Sequence, residues 1–229
     1  MFQSWDDLLF AHWPLPAAAL RPLVPAALAI EEFDGTAWLA QTPFRLTGMR
    51  FRWAPPMPAA STFLEMNLRT YVRFRGRPGI FFFSLDAASR FAVRGARTFY
   101  RLPYHLAAMS AERSNGWFRY RSSRLDGVDA ELSARYRPAG DVFEPAPGSL
   151  EHFLTERYAF FVVLRSGSVL RGDIHHPPWR LQPAIAELDR NTVPAARGIA
   201  LPDREPLLHY SARQPTLIWP PKRVSRRST

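Results

Sequence analysis

Glu65, Asn67, Arg69 and Tyr71 occupy alternate positions of one stretch, and Leu64, Met66, Leu68, Val72 and Phe74 fill the positions between and beyond them. An extended chain turns successive side chains to opposite faces, so a carboxylate, an amide, a guanidinium and a phenol share one face at about 7 Å intervals. A guanidinium can clamp a carboxylate through its two-pronged donor fork. A carboxyl held away from water has its pKa raised toward neutrality and can then move protons. If this polar face looks into a pocket, the strand is the floor of a binding site. If it looks at water, it is an ordinary half-buried strand.

Other residue groupings offer less. Adjacent His175 and His176 on a strand point to opposite faces and cannot chelate one ion together. Asp173 and His175 could share a face, but two ligands do not make a site, so no metal is expected. The chain has no nucleophile elbow, phosphate loop or dinucleotide fingerprint, and no cofactor is expected. Ser149 reads as a helix cap. Cysteine is absent, which excludes disulfides and thiolate chemistry. Lys222 is the single lysine among 30 basic residues and lies near the polar end of the chain, so amine catalysis through a Schiff base is not expected. Glu156-Arg157-Tyr158 and His176-Pro177-Pro178-Trp179 place polar groups beside apolar strands. Their ordinary structural readings are an ion pair and a rigid aromatic turn.

The elements that must position these groups are mostly strands. With 229 residues and 47% hydrophobic content, the chain can bury one full core. Strands are expected over residues 5–13, 28–33, 36–46, 62–75, 80–86, 102–112, 117–124, 131–137, 157–165, 169–176 and 207–219, the last interrupted near Pro215. Asp34-Gly35 is a hairpin signal, and a second turn is expected at Gly76-Arg77-Pro78-Gly79. Short helices are expected over 16–23, 87–100 and 149–155, and the prolines within 52–61 mark a loop. The expected architecture is a β-rich α+β domain over 1–219, an antiparallel barrel-like sheet around a central cavity, followed by a basic, disordered tail over 220–229.

The formal charge is +10. Lys222, Arg223, Arg226 and Arg227 lie in the tail without an acid beside them, which would give weak, non-specific contact with phosphate. No zinc finger, helix-turn-helix or RNA-binding signature accompanies them, so specific nucleic-acid binding is not expected. The first seven residues lack signal-peptide character, and no apolar run is long enough to span a bilayer. The expected setting is the cytoplasm, away from membranes, with a small-molecule ligand or substrate as partner; a homo-oligomer is compatible with the sequence.

Seven segments, taken in order, resemble a known family: Ala11-His12-Trp13, Pro43-Phe44-Arg45, Glu65-Met66-Asn67-Leu68-Arg69-Thr70-Tyr71-Val72, Phe82-Phe83-Ser84-Leu85-Asp86-Ala87, Leu102-Pro103-Tyr104-His105, Phe153-Leu154-Thr155-Glu156-Arg157-Tyr158 and His176-Pro177-Pro178-Trp179-Arg180-Leu181-Gln182. They are similar to domain-of-unknown-function family 2071, the YqjF-like proteins, across residues 5 to 219. The resemblance implies the acetoacetate decarboxylase-like fold around a cavity. Acetoacetate decarboxylases carry Gly-Arg-Glu followed by Pro-Lys-Lys, whose first lysine forms the Schiff base. Here Gly95-Ala96-Arg97 is followed by Pro103-Tyr104-His105, so Tyr104 and His105 stand where the lysines would, and Glu65 resembles the cavity glutamate. The resemblance then implies catalytic roles for Glu65, Tyr104 and His105, with Arg69, Asn67, Tyr71, Arg45, Glu156, Arg157, His176 and Trp179 as ligand contacts. A small organic acid or carbonyl compound is the expected ligand, either turned over by acid–base chemistry or simply bound.

Overall fold

The computed structural model of the chain describes residues 1–50 and 61–224. Fourteen strands follow in order: β1 (Phe2–Leu15), β2 (Ala29–Ile30), β3 (Glu32–Phe33), β4 (Thr36–Arg50), β5 (Phe63–Phe74), β6 (Arg77–Ala87), β7 (Tyr104–Ser114), β8 (Trp117–Arg124), β9 (Glu131–Pro138), β10 (Ala159–Val163), β11 (Val169–His175), β12 (Gln182–Asn191), β13 (Leu207–Ile218) and β14 (Lys222–Arg223). The helices are α1 (Ala17–Leu20), α2 (Arg90–Gly95) and α3 (Leu150–Thr155).

Pairing closes a ring through β1, β4, β5, β6, β10, β11 and β13. This ring is the barrel-like sheet expected from the succession of strands. The seam is not antiparallel: β10 joins β6 in parallel through Phe160 and Ile80. A second layer, β7, β8, β9 and β12, leaves the ring at β6 and returns at β13. Its inner face packs on the outer face of the ring around Met66, Leu68, Phe118, Tyr120 and Tyr136. Both faces of β5 are therefore buried, the apolar face against the second layer and the polar face toward the inside of the ring.

Local chemistry explains most boundaries. Asp34-Gly35, Arg75-Gly76 and Asn115-Gly116 each place two residues at positive φ. That is the backbone of a tight hairpin turn matched to strand twist. The second hairpin thus turns two residues earlier than expected from its glycines and proline, and Arg77 to Gly79 belong to β6. Pro215 does not interrupt β13, which runs unbroken between its contacts to β12 at His209–Tyr210 and to β11 at Leu217–Ile218. Among the described residues the second edge of β13 is unpaired at Pro215, so the missing N–H costs no ladder bond there. Strand β12 was absent from the sequence expectation. Its alanines, proline and charges have low β propensity, and Ala184, Ala186 and Leu188 supply the one inward-facing pattern. The proline-rich loop over 52–61 falls outside the described residues except Ser61, as do positions 225–229 of the basic tail. The described part of that tail adds β14 to β11.

The parallel seam needs a residue without a side chain. A Cβ at Gly79 would lie 2.7 Å from the Ala159 carbonyl oxygen and 2.7 Å from the Phe161 ring. Because one obstacle is backbone, Gly79→Ala is expected to cost about 1–3 kcal/mol of unfolding free energy. A lowered urea midpoint with unchanged slope would register it, and an unchanged midpoint would mean the seam can open without penalty.

Candidate functional site

The inside of the ring holds a cavity of about 470 Å³. Register sorts its lining into layers. Glu65 pairs with Phe44 and Ala87, Asn67 with Thr42 and Leu85, and Arg69 with Ala40 and Phe82. Each β5 residue points inward, so the acid, the amide and the guanidinium stand on three successive steps of one wall. Most of the remaining lining is apolar, including Leu8, Phe63, Ile80 and Phe160. The mouth is covered in part by α2 and the π-helical turn Ala96–Tyr100, from which Phe91 and Phe99 reach the cavity while staying exposed. Ser89 caps α2 by accepting from the Ala92 N–H. Arg97 fixes the turn by donating to the Tyr104 carbonyl (2.7 Å) and to Asp126 (2.6 Å).

Glu65 is enclosed, and burial pushes its carboxyl up to about 8. The Tyr104 hydroxyl donates to its Oε1 at 3.0 Å and opposes part of that rise. Tyr104 in turn is raised well above its ordinary value, first by burial and then by the neighbouring Glu65. At neutral pH the pair is predominantly a carboxylic acid beside a phenol. The carboxyl is still close enough to its midpoint to accept a proton near pH 8.

Arg69, four residues further along β5, is 6% exposed. Its guanidinium meets the Tyr71 hydroxyl and sits over the Phe10 ring at 5.6 Å. No carboxylate pairs with it among the described residues, and its Nε has no hydrogen-bond partner. Four other cavity-lining side chains share that condition: Gln3 through Oε1, Trp5 through Nε1, Thr42 through Oγ1 and Asn67 through Oδ1. Buried polar atoms ordinarily find partners; of the fifteen side-chain atoms without one among the described residues, these five line the cavity. Gln3, Trp5 and Thr42 were missed by sequence reasoning. Their signal was alternation in β1 and β4, Gln3 with Trp5 and Thr42 with Phe44, obscured because the intervening residues are not uniformly polar or apolar.

The other expected site residues have different places. Tyr71 faces inward but does not line the cavity; its hydroxyl is 2.8 Å from His12 Nε2. His12 is held well below its ordinary pKa by burial and then by the charge of Arg69, so it is neutral. His105 was expected beside Tyr104, yet neighbours on a strand face opposite ways. It turns out of the cavity toward Asp126, with Nδ1 at 3.2 Å from Oδ1. Arg45 follows inward Phe44 and therefore points outward, over the Phe118 ring at 5.8 Å. Arg157 is occupied by Glu31 at 2.5 Å and by the Phe153 carbonyl at 2.7 Å. Glu156 accepts from the Trp179 N–H at 2.9 Å and from the Tyr158 hydroxyl. His176 stacks on Tyr158, and Trp179 packs behind Trp5 with ring centroids 6.0 Å apart. These four hold the end of the ring together and do not line the cavity.

Behind the Glu65 end of β6, Asp86 receives Arg124 in a two-bond pair at 2.8 and 3.0 Å, both side chains 1% exposed. Asp86→Asn leaves Arg124 buried without its counter-charge and is expected to cost about 3–5 kcal/mol. The double replacement Asp86→Leu with Arg124→Met removes both charges and should recover most of that loss. Urea unfolding of the three proteins tests this; a single variant as stable as the parent would show that water reaches Arg124.

The matches to known proteins agree with this geometry. The family model of DUF2071, an uncharacterized conserved protein, covers residues 2–215. The chain belongs to the DUF2071 family. It is 47% identical over 225 residues to the uncharacterized protein YqjF of Bacillus subtilis (strain 168), spanning 98% of this chain and 93% of YqjF. Among solved structures, an acetoacetate decarboxylase-like enzyme from Sphingomonas wittichii RW1 superposes with a TM-score of 0.66 at 16% identity, covering 98% of this chain and 92% of that one. The enduracididine biosynthesis enzyme MppR, complexed with the condensation product of pyruvate and imidazole 4-carboxaldehyde, gives 0.67 at 12%, covering 99% and 90%. This DUF2071 chain therefore has the acetoacetate decarboxylase-like fold, as the resemblance implied. Among its described residues no helix is long and apolar enough to cross a membrane, and no cluster of side chains is suited to a metal ion. Lys222, the chain's one lysine, pairs with Arg171 in β14 and does not line the cavity.

Proposed function

We propose that the cavity takes a small organic acid or carbonyl compound and moves a proton on it without forming a Schiff base. The observation that carries this reading is the pairing of a buried, carboxylate-free Arg69 with an enclosed Glu65–Tyr104 dyad in one apolar cavity. Arg69 would hold a carboxylate, whose negative charge offsets that of a guanidinium withdrawn from water. Glu65 would take the proton from a carbon next to a carbonyl. The C–H electron pair then becomes the enolate double bond, and the carbonyl oxygen gains the charge that the Tyr104 hydroxyl stabilises by donating to it. Return of the proton completes exchange or, at another carbon, isomerisation. Tyr104 gives up its bond to Glu65 in this step, leaving the carboxylate freer to accept the proton. MppR, a protein of the same fold, is known in complex with a pyruvate condensation product, which is consistent with an oxo acid as ligand.

Solvent deuterium exchange of keto acids followed by NMR tests the reading. Exchange should rise with pH through an inflection near the Glu65 value of about 8 and be lost in Glu65→Gln. Binding of keto acids with no exchange at any pH would instead make the cavity a carrier site, a reading the predominance of apolar lining favours. No binding by any carboxylate would remove both.

A further inference from the structure

The three layers along β5 differ in what the paired strands add. Arg69 pairs with Ala40 and Phe82, and Glu65 with Phe44 and Ala87, so in those layers the paired residues are apolar. In the layer between them, Asn67 stands directly opposite Thr42 of β4. Directly opposed residues of antiparallel strands hold their Cβ atoms about 4.5–5.5 Å apart, near enough for both side chains to meet one small group. Both line the cavity, and both are more than nine-tenths buried, Asn67 at 7% and Thr42 at 1% exposure. Yet Asn67 Oδ1 accepts no hydrogen bond and Thr42 Oγ1 makes none, so the two do not satisfy each other. Leaving such groups without partners is unfavourable, and the layer therefore favours an occupant that bonds to both. An amide oxygen accepts and a threonine hydroxyl can donate, so the fitting group donates one bond and accepts another. An alcohol hydroxyl does both, whichever way the amide is turned. A carboxylate has no proton for the Asn67 oxygen. An ammonium would bring a second cation to a cavity whose Arg69 faces no carboxylate among the described residues. A hydrocarbon would strand both polar atoms.

We infer that Asn67 and Thr42 form a subsite for a hydroxyl group, and that the ligand is a hydroxylated oxo acid. Its hydroxyl lies between the carboxylate held by Arg69 and the carbonyl at Tyr104 and Glu65, because the Asn67 layer lies between the other two on β5. This rests on the proton-transfer reading above and specifies its substrate class. Selection works against the acid that lacks the hydroxyl, which leaves the amide oxygen and the threonine hydroxyl unpaired on binding. A water molecule has the same capacity to donate and accept and is the competing occupant.

Isothermal titration with 4-oxopentanoate and 5-oxohexanoate, each beside its 3-hydroxy derivative, tests it. In the pair that binds more tightly, the hydroxy acid should exceed its parent about tenfold or more. Thr42→Val keeps the shape of the side chain and removes its hydroxyl, and should bring that ratio below about threefold. Asn67→Leu should do the same, whereas Thr42→Ser should keep the preference. Each ratio is taken within one protein, so a general loss of affinity cancels. A wild-type ratio near one, the result if water fills the layer, overturns the hydroxyl subsite while leaving the keto-acid reading intact. So does a preference that survives Thr42→Val. Failure of all four acids to bind overturns the underlying reading as well.

Discussion

Arg69→Met is expected to weaken binding of a carboxylate ligand about 100-fold, or roughly 3 kcal/mol, while leaving the folded protein as stable as before or more so. The two effects have one cause. Arg69 is enclosed, it faces no carboxylate among the described residues, and its Nε makes no hydrogen bond. Withdrawing a cation from water without a counter-ion is costly, so a thioether of similar length removes a penalty when the cavity holds no ligand. With an anionic ligand bound, the same substitution leaves a carboxylate in a low-dielectric wall with no partner. Arg157, the other buried guanidinium close by, cannot substitute because Glu31 already holds it at 2.5 Å. Isothermal titration with a keto acid gives the first quantity and urea unfolding without ligand gives the second. Unchanged affinity would show that Arg69 serves Tyr71 and Phe10 alone; a large loss of stability would show it to be a structural cation.

Much of this arrangement was legible in the sequence because it depends on period. The alternation from Glu65 to Tyr71 specified which side chains share a face, and burial of Met66, Leu68 and Val72 on the other face explains why residues 65–72 are buried on both sides. The hairpin at Asp34-Gly35 was readable from residues that tolerate positive φ. Long-range placement was not. Nothing local to Arg157 discloses that Glu31, 126 residues away, neutralises it, and nothing local to Glu156 discloses the Trp179 N–H. His105 was within reach of sequence reasoning. Reading Tyr104 and His105 as one pair ignored the alternation already applied to β5, which allows only one of them into the cavity. Strand β12 shows the reverse case, a segment of weak propensity held extended by pairing to β9 and β13.

Glu65→Gln should stabilise the protein by an amount that grows with pH, since the acid is more easily ionised in the unfolded chain than in the cavity. Its folded value of about 8 lies above the ordinary 4.5. Below pH 4.5 both states hold the proton, and glutamate and glutamine contribute alike. As pH rises from there to about 8, the unfolded chain releases a proton that the folded protein retains. The wild-type protein then loses about 1.4 kcal/mol per pH unit relative to the variant. The accumulated difference approaches roughly 5 kcal/mol and levels off once the folded carboxyl also ionises. Glutamine keeps an acceptor for the Tyr104 hydroxyl, and every other titrating group is common to both proteins, so the difference isolates Glu65. Urea unfolding of the pair between pH 4 and 9 measures it. A pH-independent difference would mean that water or a cation reaches the carboxyl, and with it would go the raised basicity on which the proposed proton transfer rests. A curve that bends near pH 8, at the same place as the exchange rate of a keto acid, would tie the stability cost of burying Glu65 to the chemistry that burial makes available.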